Sequence, residues 1–137
     1  MLIINIDGAS RGNPGLSGIG IVIAKEDSKI IEHREFIGCK TNNQAEYMAL
    51  KKAMQIALGL DDNITILSDS QLLVNQRTKQ FKVRNKQLKN IFREISNLER
   101  YFQTVIYKYV PRSRNRDADL LANQAIDEHI KYEKTNI

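Results

Sequence analysis

The chain opens Leu2-Ile3-Ile4-Asn5-Ile6-Asp7-Gly8-Ala9-Ser10-Arg11-Gly12-Asn13-Pro14-Gly15, and the reading of this stretch decides the fold. Residues 2–6 form a short apolar run, the pattern of a buried strand. Asp7-Gly8 and the glycine-rich residues up to Asn13-Pro14-Gly15 predict that this strand ends near Asp7 in a loop. Working outward, residues 18–25 and 29–37 are rich in Ile and Val around the polar turn Glu26-Asp27-Ser28, which predicts an antiparallel hairpin. Next, Ala45, Met48, Ala49, Ala53, Ile56, Ala57 and Leu60 recur at helical spacing and Asp61-Asp62-Asn63 closes the helix. Residues 63–68 read as a fourth strand and about 69–76 as a short helix.

A linking segment with Phe81 and Val83 leads to a basic amphipathic helix carrying Leu88, Ile91, Phe92, Ile95, Leu98 and Phe102. Residues 104–110 alternate as a fifth strand, which Pro111 ends. A final helix over about 115–132 has the apolar stripe Ala118, Leu121, Ala122, Ala125 and Ile126. The order β-β-β-α-β-α-α-β-α predicts an α/β fold, a mixed sheet flanked by helices. The 137 residues are the size of one domain, 1–137, and the sequence leaves open whether the tail after Ile130 is ordered.

The composition, 42% hydrophobic and 27% charged, is that of a soluble folded chain, and no apolar run approaches the roughly 20 residues of a membrane span. Residues 1–6 lack the basic flank and cleavage site of a signal peptide. The lone Cys39 cannot form an internal disulfide, which fits a reducing, cytoplasmic setting, and it reads as a half-buried small residue. The net charge of +5 is unevenly spread. Residues 77–116 hold twelve Lys and Arg against two acids, Glu94 and Glu99, while the remainder is acidic. Such a block is either a solvated helix face or a surface that neutralises phosphates and releases their counterions.

Four carboxylates stand where solubility alone explains an acid poorly: Asp7, Glu46, Asp69 and Asp119. Asp7 and Asp69 follow apolar strands, and sites in open α/β sheets form beyond the carboxyl ends of strands. Four converging acids repel unless cations lie between them, and hard oxygen ligands suit Mg²⁺ or Mn²⁺. Two such ions about 4 Å apart serve an in-line phosphoryl displacement. Each acid alone has a plainer explanation: a turn at Asp7-Gly8, a helix cap at Asp69, a favourable helix dipole at Asp119, a solvated helix residue at Glu46.

The uncharged surroundings of these acids carry a family resemblance. Residues 7–15 quoted above, then Thr41-Asn42-Asn43-Gln44-Ala45-Glu46, Ser68-Asp69-Ser70-Gln71, and Asn115-Arg116-Asp117-Ala118-Asp119-Leu120-Leu121-Ala122 resemble, in order, the four signature blocks of type 1 ribonuclease H. The resemblance implies the ribonuclease H-like fold, a five-stranded mixed sheet in spatial order 3-2-1-4-5 with helices on both faces. It implies an endonuclease that hydrolyses the RNA strand of RNA/DNA hybrids with two Mg²⁺ ions, Mn²⁺ as a substitute, leaving 5′-phosphate and 3′-hydroxyl ends. Asp7 would bridge both ions, Asp119 would join it on the ion that activates water, and Glu46 and Asp69 on the ion that stabilises the leaving oxygen. Asp119 is chosen over Asp117 on the family pattern, and one must be chosen because helix residues two apart point about 200° apart.

An A-like duplex displays 2′-hydroxyls in a shallow minor groove, which short polar groups read. Asn13, Asn42, Asn43 and Gln71 supply them in the family's manner. Thr41-x-x-Gln44 is also a capping box, so Thr41 is expected both to cap the helix and to hold a DNA phosphate. Two departures stand out. Only residues 77–84 fill the interval in which many relatives insert a basic handle, so this is the handle-less branch, and its basic surface must come from Lys79, Lys82, Arg84, Lys86, Lys89 and neighbouring residues. The loop before the last aspartate also lacks the histidine common in the family. His129, ten residues after Asp119 and about 15 Å along a helix, cannot easily replace it; Arg112 or Arg114 is expected to take over part of the role by attracting phosphate. His33 and His129 read as surface residues.

The chain is expected to act as a monomer on hybrid, with double-stranded RNA as a further substrate that the sequence does not exclude. A binding module of the same fold with weak catalysis is the alternative, and the presence of all four carboxylates argues against it. Glycines 12, 15, 18 and 20 do not make a nucleotide-binding loop, because the Ile- and Val-rich stretch after them reads as a strand and offers no helix N-terminus.

Overall fold

The computed structural model describes residues 1–78 and 85–136. Three antiparallel strands open it: β1 (Leu2–Gly12), β2 (Gly15–Lys25) and β3 (Ser28–Lys40). There follow α1 (Asn42–Ala57), β4 (Asn63–Ser68), α2 (Gln71–Thr78), α3 (Lys86–Glu99), β5 (Thr104–Tyr109), a single 3₁₀ turn at Arg112–Arg114, and α4 (Arg116–Thr135). β4 adds parallel to β1 and β5 parallel to β4, giving one sheet in the order β3-β2-β1-β4-β5. The mixed sheet is the one expected from the order of elements, and its strand order is the one the family resemblance implies.

Alternation sets the two faces. Leu2, Ile4 and Ile6 of β1, Ile19, Ile21 and Ile23 of β2, and Ile64 and Ile66 of β4 are buried together with Tyr47, Leu50, Ala53 and Met54 of α1 and Leu88 and Ile95 of α3. Each such aliphatic side chain contributes about 1.5–3 kcal/mol through burial. The other face carries α4, which lies against β2 and β1. It approaches so closely that a Cβ on Gly20 would stand 2.8 Å from the main-chain nitrogen of Ala122. The glycines of β2 therefore admit a helix, in keeping with the strand reading of this stretch.

Several boundaries differ from expectation. β1 does not end near Asp7; it runs on to Gly12, with Gly8, Ala9 and Ser10 paired to Ile19, Gly18 and Ser17 of β2. Ser17 donates to the Ser10 hydroxyl at 2.9 Å and Ser10 donates to the Lys40 carbonyl at 2.8 Å, which fastens this extension to β3. The glycine content that suggested a loop belongs to a hairpin with close neighbours. α1 stops at Ala57, because Leu58 leaves the helical region and Gly59 takes a positive φ of 81°, so Leu60 is exposed. α4 continues past Ile130 to Thr135. Cys39 is exposed and not half-buried, one residue from the end of the edge strand β3. Phe81, Val83, Lys79, Lys82 and Arg84 lie outside the described residues.

Arg77, counted in the basic block, is no surface charge. Its side chain is 4% exposed, is salt-bridged to Glu99, and lies over the Phe92 ring at 4.3 Å. Tyr107 donates to the same Glu99 at 2.8 Å, so the group ties α2 and α3 to β5. Lys86 and Lys89 are exposed. No helix among the described residues is long and apolar enough to cross a membrane.

Candidate active site

The parallel pairing of β1 with β4 ends at Asn5 opposite Leu67, and both chains continue into acids: Asp7 two residues on, Asp69 directly after β4. Pleating places Asp7 on the same face as Asn5, towards α4. Glu46 arrives from α1, whose start is fixed by the expected capping box. The Gln44 amide donates to Thr41 Oγ1 at 3.1 Å, and the Thr41 amide donates to Gln44 Oε1 at 2.9 Å. α1 seats directly on Gly8, where a Cβ would lie 2.5 Å from the Glu46 main-chain nitrogen. Only glycine lets the helix come this close.

The result is a tight acidic cluster. One carboxylate oxygen from each of Asp7, Glu46 and Asp69 lies within 4.8 Å of the others. Asp7 is only 5% exposed. Burial, then the charges of Glu46 and Asp69, push the Asp7 carboxyl up to about 10. Burial is likewise the main cause that raises Glu46 to about 8. Asp69 is raised as well, chiefly by burial, while the nearby Asn115 amide and the Arg112 charge act to lower it. Glu46 Oε2 is buried with no hydrogen-bond partner among the described residues. An orphaned buried carboxylate oxygen amid three acids that cannot all ionise side by side fits a divalent cation with oxygen ligands.

Asp119 stands slightly apart. It lines the same cavity of about 420 Å³, which Asp7, Glu46 and Asp69 floor, but it is not one of the three oxygens in the tight group. Arg112 approaches its Oδ1 at 3.8 Å. Asp117 points away: it is 69% exposed and lies 3.7 Å from Lys29.

Of the residues expected to hold substrate, Asn42 and Arg112 line the cavity. Asn13, in the β1–β2 turn, accepts from the Asn42 main-chain amide at 3.0 Å and so reaches the rim indirectly. Thr41 Oγ1 accepts the cap hydrogen bond, which leaves its O–H as a donor. Asn43 and Gln71 are exposed at the starts of α1 and α2, outside the cavity lining. Arg114 is not brought to the acids; it lines a separate pocket with Arg116, Asp117 and Asn5. His33 and His129 are half-buried and not free surface residues. His129 stacks on Phe36 with ring centroids 3.6 Å apart.

The structure adds residues that the sequence did not single out. Asn115 is 1% exposed, donates to the Ile6 carbonyl at 2.8 Å and accepts from Asn5 at 3.0 Å. Its position before a helix suggests an N-cap, yet its side chain makes no capping bond. Arg11, Tyr109 and Asn123 also line the cavity. For Asn123 a signal existed: it lies four residues after Asp119, on the same helix face.

A family model described as reverse transcriptase-like matches residues 5–125. The chain is 38% identical over 129 residues to a bifunctional protein of Mycobacterium tuberculosis, covering 92% of this chain. It spans about a third (35%) of the length of that relative. Among solved structures it is similar to the RNase H1 of Halobacterium salinarum, with TM-score 0.88 and 37% identity over 93% of this chain and 98% of that one. It is also similar to LC11-RNase H1 solved in complex with RNA/DNA hybrid, with TM-score 0.90 and 35% identity over 95% and 99% of the two chains.

Proposed function

The chain belongs to the type 1 ribonuclease H family, and from that premise we propose that it is an endonuclease that hydrolyses the RNA strand of RNA/DNA hybrids. The observation that carries the reading is the group of three carboxylate oxygens within 4.8 Å on the floor of an open polar cavity. That a related RNase H1 has been solved with hybrid supports the choice of substrate.

In this reading Asp7, Glu46, Asp69 and Asp119 hold two Mg²⁺ ions, or Mn²⁺ in their place. When bound, the ions would supply Lewis acidity, activating the attacking water and stabilising the leaving 3′ oxygen. Asp7 would be the ligand common to both ions, a role supported by its being the most buried of the four acids and by its interaction with Glu46, Asp69 and Asp119 alike. The oxygen of water bonds to phosphorus and the bond from phosphorus to O3′ breaks, so the products are a 5′-phosphate and a 3′-hydroxyl.

Arg112, 81% exposed on the rim, attracts a substrate phosphate towards Asp119. Asn42 and Asn13 form a polar edge suited to 2′-hydroxyls, joined by Asn43 and Gln71 where the duplex extends beyond the cavity. Thr41, at the start of α1, takes a DNA phosphate. Arg114, in its separate pocket, would touch only a flanking phosphate. The chain works as a cytoplasmic monomer in this account.

The test compares labelled RNA/DNA hybrid, double-stranded RNA and double-stranded DNA under Mg²⁺ and under Mn²⁺. Cleavage confined to the RNA strand of hybrid supports the reading. Equal cleavage of double-stranded RNA replaces it with a broader nuclease, and tight hybrid binding without cleavage under either metal replaces it with a binding module.

A further inference from the structure

Asp119 is the one proposed ligand outside the tight carboxylate group, so something other than its neighbours' geometry must hold it in place. Asn123 lies one turn further along α4 and lines the same cavity. Its Nδ2 donates to the Asp119 carbonyl at 3.0 Å and to Asp119 Oδ1 at 3.2 Å. From the other side Arg11, on the extended part of β1, donates Nη2 to the Asn123 main-chain oxygen at 3.3 Å and to its Oδ1 at 3.4 Å. The other terminal nitrogen of Arg11, Nη1, is held by Asp127 Oδ1 at 2.7 Å.

The polarity of this chain of bonds is forced. An asparagine amide donates at one end and accepts at the other, and a guanidinium only donates. With Arg11 against it, the oxygen of the amide must face β1, and its NH₂ must then face Asp119. We propose that Asn123 is a positioning residue that holds the Asp119 carboxylate on the cavity side, ready for a metal ion, with Arg11 fixing the direction of its amide. The inference rests on the reading of Asp119 as a metal ligand. It also gives β1 beyond Asp7 a purpose, since a strand ending at Asp7 would not carry Arg11 to α4. Partners of this kind around ligating carboxylates typically change metal affinity or activity by about 10–100-fold when removed.

The experiment uses the full chain as wild type, Asn123→Asp, Asn123→Ala and Arg11→Met. Asn123→Asp keeps the size of the side chain but replaces the donor with a second carboxylate. Three quantities are read: Mg²⁺ binding without substrate, by calorimetry; the Mg²⁺ concentration for half-maximal hybrid cleavage, together with KM for hybrid; and Tm. For both Asn123 variants the expected result is weaker Mg²⁺ binding and a half-maximal Mg²⁺ concentration raised by about tenfold. KM for hybrid measured at saturating Mg²⁺ should stay within about twofold, a split that general loss of packing would not produce. Arg11→Met should move the same quantities in the same direction but less, and it carries the test if the Asn123 variants fail to fold. Wild-type Mg²⁺ binding in all folded variants overturns the inference alone. A wild type that cleaves hybrid while binding Mg²⁺ identically to Asp119→Asn overturns it by removing Asp119 from the metal site. A wild type that neither binds Mg²⁺ nor cleaves hybrid overturns the proposed function and this inference together.

Discussion

Asn115 donates its side-chain amide to the carbonyl of Ile6 at 2.8 Å, so the start of α4 is fastened to the residue that precedes Asp7. The same side chain accepts from Asn5 at 3.0 Å. One asparagine thereby ties the start of α4, which carries Asp119, to β1, which carries Asp7. Asn115→Ala leaves the buried Ile6 carbonyl without this partner, a loss of about 1–3 kcal/mol, and also releases the half-buried Asn5 amide. Thermal unfolding should show a Tm several degrees lower, and hybrid cleavage should fall by about tenfold or more because Asp7 and Asp119 lose their common reference. Unchanged activity would show that the acids are located by packing alone.

The acidic cluster makes the metal-free protein sensitive to pH. Asp7 is raised from 3.8 to about 10, chiefly by burial, and Glu46 from 4.5 to about 8. A carboxyl whose folded value lies above its unfolded one contributes stability that is complete below the unfolded value and is lost as pH rises through the folded one. In chelator, Tm should therefore decline from about pH 4 towards pH 10, beyond the loss common to other groups. Asp7→Asn should be the more stable protein at pH 8 and should show a flatter profile. The Tm gained on adding Mg²⁺ should be larger at pH 8 than at pH 5, since the cation binds the ionised acids.

Gly8 sets how near α1 comes to β1. A methyl group there meets the backbone of Ala45 and Glu46, which cannot rotate away. Gly8→Ala should displace Glu46 and cut the turnover rate by about 100-fold, the usual consequence of a shift near 1 Å at a catalytic group. Circular dichroism should show the fold retained, because the core of β1 lies on Leu2, Ile4 and Ile6.

If Arg112 and the exposed lysines of α3 hold phosphates, hybrid affinity must fall with added salt as counterions are released. Fluorescence anisotropy in Ca²⁺ should give a linear decline of log affinity with log salt, with Arg112→Ala lowering the slope by about one unit. A flat salt response would remove the proposed phosphate contacts.

The elements themselves were legible because the apolar period changes cleanly from two in Val105, Tyr107 to helical spacing in Ala118, Leu121, Ala122. Asp7, Glu46 and Asp69 were legible as well, through the blocks of sequence around them. The extension of β1 was not, since glycine and serine signal turns when read alone and only the neighbouring strand shows that Ser10 pairs with Ser17. Arg77 misled for the converse reason: charge in a sequence reads as surface, while a buried ion pair with Glu99 depends on residues 22 positions away. Arg112 and Arg114 were indistinguishable in sequence, and the 3₁₀ turn separates them.

The most direct measurement follows end-labelled RNA in an RNA/DNA hybrid with wild type and with Asp7→Asn, each in Mg²⁺ and in chelator. The account predicts metal-dependent cleavage of the RNA strand by wild type, with 5′-phosphate and 3′-hydroxyl ends, and a loss of at least about 1000-fold in Asp7→Asn, the several kcal/mol of stabilisation that the metal ions would supply. Cleavage that persists in Asp7→Asn, or that proceeds unchanged in chelator, would contradict it.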